Sequence, residues 1–90
     1  MLFLGMMKVR AGGSQDMVAR RMQWNYPEGI RVVAEYLLMT NDPYIVAVIE
    51  ADDLMPVMMG MSEWDDLFDI TYYPAINAEE VMEKVKQAMG

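Results

Sequence analysis

Ninety residues with 54% apolar content, fourteen acidic and seven basic side chains and a net charge of −7 bound one small acidic domain over residues 1–90. The chain has neither cysteine nor histidine, which removes disulfides, thiolate and imidazole metal sites, thiol catalysis and every serine–histidine arrangement. The acidic balance argues against nucleic acid and anionic membrane as partners, because both need a basic footprint and the adjacent Arg20 and Arg21 are a pair rather than a patch.

Residues 2–10 read as a strand, apolar at first and charged at the end. No basic segment precedes the apolar residues 1–7, and Lys8 and Arg10 stand where a signal peptide would carry a small-residue cleavage site. Every apolar run is far too short to span a bilayer, so a cytoplasmic location is expected. Ala11-Gly12-Gly13 breaks the strand. Ser14 is the expected N-cap of a helix to about residue 25, with Asp16 in its first turn and Met17, Val18 and Met22 facing the core. Residues 30–40 and 44–51 form two strands joined by the turn Asn41-Asp42-Pro43. Asp52 or Asp53 caps a second helix to about residue 63, in which Pro56 is tolerated because it lies in the first turn. Residues 67–73 are a fourth strand. Asn77 and Glu80 then form a capping-box-like pair, and Val81, Met82, Val85, Ala88 and Met89 make one apolar stripe on a final helix.

The order is β-α-β-β-α-β plus a C-terminal helix, the α+β, ferredoxin-like split βαβ unit. Strand order 4-1-3-2 is expected for its four-stranded antiparallel sheet, with both crossover helices on one face. Period-two alternation assigns Phe3, Gly5, Met7, Val9, Ile45, Ala47 and Ile49 to the helix-covered face. It leaves Leu2, Leu4, Met6, Val33, Leu37, Val46 and Val48 on the other. An antiparallel sheet with one wet face shows polar residues there. So large an apolar face calls for cover, and a chain of this size buries only about 60–65% of its unfolded surface. A second copy across a twofold axis is the simplest cover, and the C-terminal helix is its competitor.

With that order in place, Val48-Ile49-Glu50-Ala51-Asp52-Asp53 leading into a helix, then Ser62-Glu63-Trp64-Asp65-Asp66-Leu67-Phe68-Asp69-Ile70, then Pro74, carry a resemblance. The chain resembles the dimeric α/β-barrel superfamily of ferredoxin-like domains. Within it, the likeness is to an uncharacterised family of short domains of unknown function. The resemblance implies a homodimer whose sheets face each other around a small cavity. The superfamily includes monooxygenases, haem-degrading enzymes, muconolactone isomerases and ligand-binding regulatory domains. The absence of histidine departs from the haem-degrading members, and no cofactor is expected.

The face assigned to the cavity also holds Lys8, Arg10, Arg31, Glu35, Glu50, Asp69, Thr71 and Tyr73. Lys8 beside Glu35 or Asp69 would make an acid–base pair, with Tyr73 donating a hydrogen bond to a bound carbonyl or phenolate. Arg31, Thr71 and Trp64 are the candidate ligand contacts, with Trp24 beside Trp64 as pocket lining. The plainer reading makes the charged groups rim ion pairs that set dimer register and the tryptophans core. Met55, Met58, Met59 and Met61 have the soft sulfur that suits copper(I), but twelve methionines spread along the chain favour packing or an adaptable interface. Glu50, Asp52 and Asp53 have the oxygen chemistry of a hard-cation site, but helix capping accounts for at least one aspartate, and no metal is assigned. Gly12-Gly13 lacks the lysine of a phosphate-binding loop.

Two functional expectations follow. The first is a homodimeric small-molecule-binding or interaction module without catalysis. The second is a cofactor-free isomerase or monooxygenase acting on a small substrate, aromatic ones included, through Lys8, Glu35, Asp69 and Tyr73.

Overall fold

A computed structural model describes residues Met1–Gly90, apart from the side chain of Ser14. Its elements are β1 (Leu2–Val9), α1 (Ser14–Gln23), β2 (Ile30–Leu37), β3 (Ile45–Ala51), α2 (Leu54–Ser62), β4 (Phe68–Ala75) and α3 (Ala78–Met89). The four strands form one antiparallel sheet in the order β2-β3-β1-β4. This is the expected 4-1-3-2 order read from the other edge, and the arrangement is ferredoxin-like.

Local chemistry sets the boundaries. After β1 the chain turns at Gly12, whose φ of +83° strains any residue with a side chain and whose Cβ position would stand 2.9 Å from Leu67 Cδ2, so that Leu67 would have to shift. The N-cap of α1 on the backbone is Gly13, and the capping role expected for Ser14 falls on a side chain outside the described residues. Asp16 in the first turn and Arg20 and Arg21 in the last match the helix dipole. Asp53 caps α2 by accepting the Met55 N–H at 3.2 Å, and Pro56 sits in the first turn as its missing N–H requires. Asn77 caps α3, accepting from Glu79 N–H at 2.8 Å and Glu80 N–H at 3.4 Å. Among the described residues the returning half of the capping box is not formed, and the Glu80 carboxylate pairs with Lys84 instead.

The core lies between the sheet and the two crossover helices. Phe3, Met7, Ala47, Ile49, Ala51 and Phe68 come from the sheet. Met17 of α1, Val57 of α2 and Trp64 close it from above. The alternation of β1 and β3 is as expected. That of β2 is corrected by a bulge. Val32 pairs with Ile49 and Ala34 with Val48, so Val33 is an extra residue on β2. Beyond it the two faces exchange. Glu35 and Leu37, placed by alternation on the open face, lie opposite Ala47 and Ile45 on the helix side, while Ala34 and Tyr36 take the open face.

Two expectations about helices are also revised. Val18 and Met22 do not enter the core and are 45% and 81% exposed; Met17 is the α1 residue that does. The stripe on α3 buries none of its residues, so α3 does not cover the sheet. The radius of gyration of 15.3 Å exceeds the roughly 12 Å of a compact domain of this length.

Candidate functional site

Under the second half of α1, between the helices and the sheet, lies an apolar pocket of about 200 Å³. Its walls are aromatic. The Trp24 and Tyr26 rings lie 4.6 Å apart, Trp24 meets Trp64 edge to face at 5.6 Å, and Trp64 continues to Phe68 at 5.7 Å. Such pairs are stabilising at these distances and geometries. Trp24 follows the last turn of α1, Tyr26 sits in the loop beyond it, and Trp64 follows α2, so the wall forms where both helices end. The floor includes Tyr72 of β4, opposite Gly5 of β1. A Cβ at Gly5 would stand 2.4 Å from Tyr72 Cε1, so the glycine is the recess in which this ring lies.

Glu35 is the acid of the pocket, and the β2 bulge places it there. Its Oε1 accepts from Arg21 Nη2 at 2.9 Å and its Oε2 from the Tyr26 hydroxyl at 3.1 Å. The Glu35 side chain is 19% exposed and that of Arg21 41%, which puts the arginine at the mouth. Arg21 also donates to the Trp24 carbonyl at 3.2 Å and stacks 5.6 Å from the Trp24 ring and 5.5 Å from that of Tyr26. The hydrogen bond to Glu35 raises the pKa of its guanidinium further. Burial, with the negative charge of Glu35, pushes the Tyr26 phenol upward and that of Tyr72 up to about 12. Both phenols are therefore neutral donors at physiological pH. Among the described residues the Tyr72 hydroxyl makes no side-chain hydrogen bond, although Tyr72 lines the pocket.

The sequence candidates divide between the two faces. Glu35 and Trp64 line the pocket. Lys8, Asp69, Thr71, Tyr73 and Arg31 lie on the open face, read from their pairing with Asp69, Lys8, Met6, Leu4 and Glu50 respectively. The expected Lys8–Glu35 pair is therefore not formed, since the sheet separates them. Lys8 and Asp69 are cross-strand neighbours, but Lys8 lies 3.9 Å from Asp42 and Asp69 pairs with Arg10 at 2.6 Å. Arg31 pairs with Glu50. Of the acids considered for a cation, Glu50 faces Arg31, Asp53 caps α2, and Asp52 lies 4.0 Å from the N-terminal amine. Met55, Met58 and Met59 are exposed on α2, while Met61 packs on the core.

Arg21, Tyr26 and Tyr72 were absent from the sequence candidates. The period of a strand or helix carries no sign of a pair formed across fourteen residues, nor of an aromatic ring laid over a glycine of the next strand.

The family described as "Domain of unknown function (DUF3303)" matches residues 1–89 of this chain. The chain belongs to that family. No curated protein and no solved structure matches it. Among the described residues, no helix is long and apolar enough to cross a membrane.

Proposed function

We propose that this member of the family is a homodimeric small-molecule-binding module of the dimeric α/β-barrel type, with the open sheet faces of two copies packed together and one ligand in each helix-side pocket. The two-sided sheet supports the dimer. On its open face, Tyr73, Leu4, Val48 and Ala34 lie in one cross-strand row and Thr71, Met6, Val46 and Tyr36 in the next. Seven of these eight side chains are apolar or aromatic, and no helix covers them. Charged pairs flank the rows, with Arg31–Glu50 at one end and Arg10–Asp69 and Lys8–Asp42 at the other. An apolar centre with a polar rim is the common anatomy of an interface.

The pocket supports the ligand. It is concave, mostly apolar and edged by a few convergent polar groups, the general form of a small-molecule site. Binding is favoured over isomerase or monooxygenase chemistry by the division of the acid–base candidates. Glu35 is already held on both oxygens, and Lys8, Asp69 and Tyr73 lie across the sheet from it.

Light scattering on the eluting protein tests the assembly. The expected mass is twice 10.3 kDa. Val48→Glu, in the middle of the apolar row, is expected to give a folded monomer by placing a charge where no partner group meets it. A wild-type monomer at micromolar concentration ends the dimer reading.

A further inference from the structure

We propose that the helix-side pocket selects an uncharged, single-ring aromatic molecule carrying a hydroxyl group, a phenol, whose hydroxyl sits between Glu35 and Tyr72. This rests on the pocket being a small-molecule site and adds the chemistry it reads.

Size sets the first limit. A cavity of about 150 Å³ accepts benzene, so about 200 Å³ accommodates one ring with a small substituent and not a fused polycycle. The walls of Trp24, Trp64 and Phe68 offer faces and edges to such a ring.

Charge sets the second. Among the described residues, the only charged side chains lining the pocket are Arg21 and Glu35, and they neutralise each other at 2.9 Å. An anionic ligand would meet the Glu35 carboxylate with no spare cation, and a cationic one would compete with Arg21. Desolvating either ion would go uncompensated, so the pocket favours a neutral molecule.

Unused hydrogen-bonding capacity sets the third. A carboxylate has about four lone-pair positions, and Arg21 and Tyr26 occupy two of them on Glu35. Tyr72 brings a hydroxyl that makes no side-chain hydrogen bond among the described residues, and Glu35, Ala47, Gly5 and Tyr72 share one cross-strand row, with the Tyr72 ring laid over Gly5 and both Tyr72 and Glu35 lining the pocket. What remains to be met is an acceptor seeking a donor and a donor seeking an acceptor. A phenolic hydroxyl is both at once. An aromatic hydrocarbon satisfies neither, and an aromatic acid at neutral pH supplies acceptors only.

Isothermal titration calorimetry of the full chain at neutral pH with 4-methylphenol, toluene and 4-methylbenzoate tests this. The expected result is saturable binding of 4-methylphenol, toluene at least about tenfold weaker, and 4-methylbenzoate weaker still. Tyr72→Phe keeps the ring over Gly5 and removes only the hydroxyl. It is expected to weaken 4-methylphenol several-fold and leave toluene unchanged. Equal affinities for 4-methylphenol and toluene, or tighter binding of 4-methylbenzoate, would overturn the phenol assignment and leave the pocket as a ligand site. An unchanged 4-methylphenol affinity in Tyr72→Phe would overturn it as well. If none of the three binds, both this assignment and the small-molecule reading fall.

Discussion

Tyr72 shows how one side chain is set by its surroundings. Gly5 makes the recess for its ring, burial and then the charge of Glu35 raise its pKa, and Met7 and Phe68 line the same pocket. A phenol whose folded pKa lies at about 12, against roughly 10 in the unfolded chain, keeps its proton in the native state after the unfolded state has lost its own. The stability this supplies is whole below about pH 10 and is lost as pH rises through the folded value. Urea denaturation followed from pH 9 to 12 is expected to show a steeper loss of stability in the wild type than in Tyr72→Phe. Equal slopes would place the phenol in water. At this scale the sequence was legible where a residue type speaks alone. A cap at Asp52 or Asp53 and another at Asn77 were readable because short polar side chains are favoured at a helix start; the structure gives Asp53. The partners of Glu35 were not, because Arg21 reaches it from α1 and the acid reaches the pocket only through the bulge.

Among the elements, α3 stands apart. It is twelve residues long, buries none of them, and lies at the length where an isolated helix is marginal in water. Its folding therefore leans on its cap and on pairs such as Glu80–Lys84, 3.7 Å apart. Asn77→Ala removes a cap worth about 1 kcal/mol. The expected outcome is a fall in the 222 nm circular dichroism corresponding to α3, with the main thermal transition unmoved. A shift of the main transition would mean that α3 is packed on the folded body or on a partner. The element order, the sheet order and the pairing of β1 with β3 were all legible, because continuous apolar alternation and turn residues mark them. The sidedness of β2 was not. Val33 is a β-branched residue among others, and no glycine or proline announces the extra residue.

For the molecule as a whole, charge and apolar surface pull in opposite directions. Two copies, each at −7, repel at long range, while their open faces gain by leaving water. Salt screens the first within a Debye length of about 10 Å at 0.1 M and hardly weakens the second. Sedimentation velocity at about 20 mM and about 500 mM sodium chloride, the extremes of that screening, is expected to show more dimer in high salt. Less dimer in high salt would assign the assembly to ion pairs across the rim. The surplus of apolar surface was legible from composition and alternation alone. The pocket was not, since it arises from the way α1 stands off the sheet, and no local pattern in α1 encodes that distance.

The extra residue at Val33 acts as a half-period phase shift. Upstream of it, even-numbered β2 residues face the helices; downstream, odd-numbered ones do. With the bulge straightened and Val33 drawn into the ladder, strict alternation would carry the pocket's acid out to the open face, leave Arg21 and Tyr26 without their acceptor, and turn Tyr36 inward, whereas deleting Val33 would leave Glu35 facing the pocket. The chemistry of this pocket thus depends on one residue staying outside the ladder, with no substitution in the wall needed to exchange it.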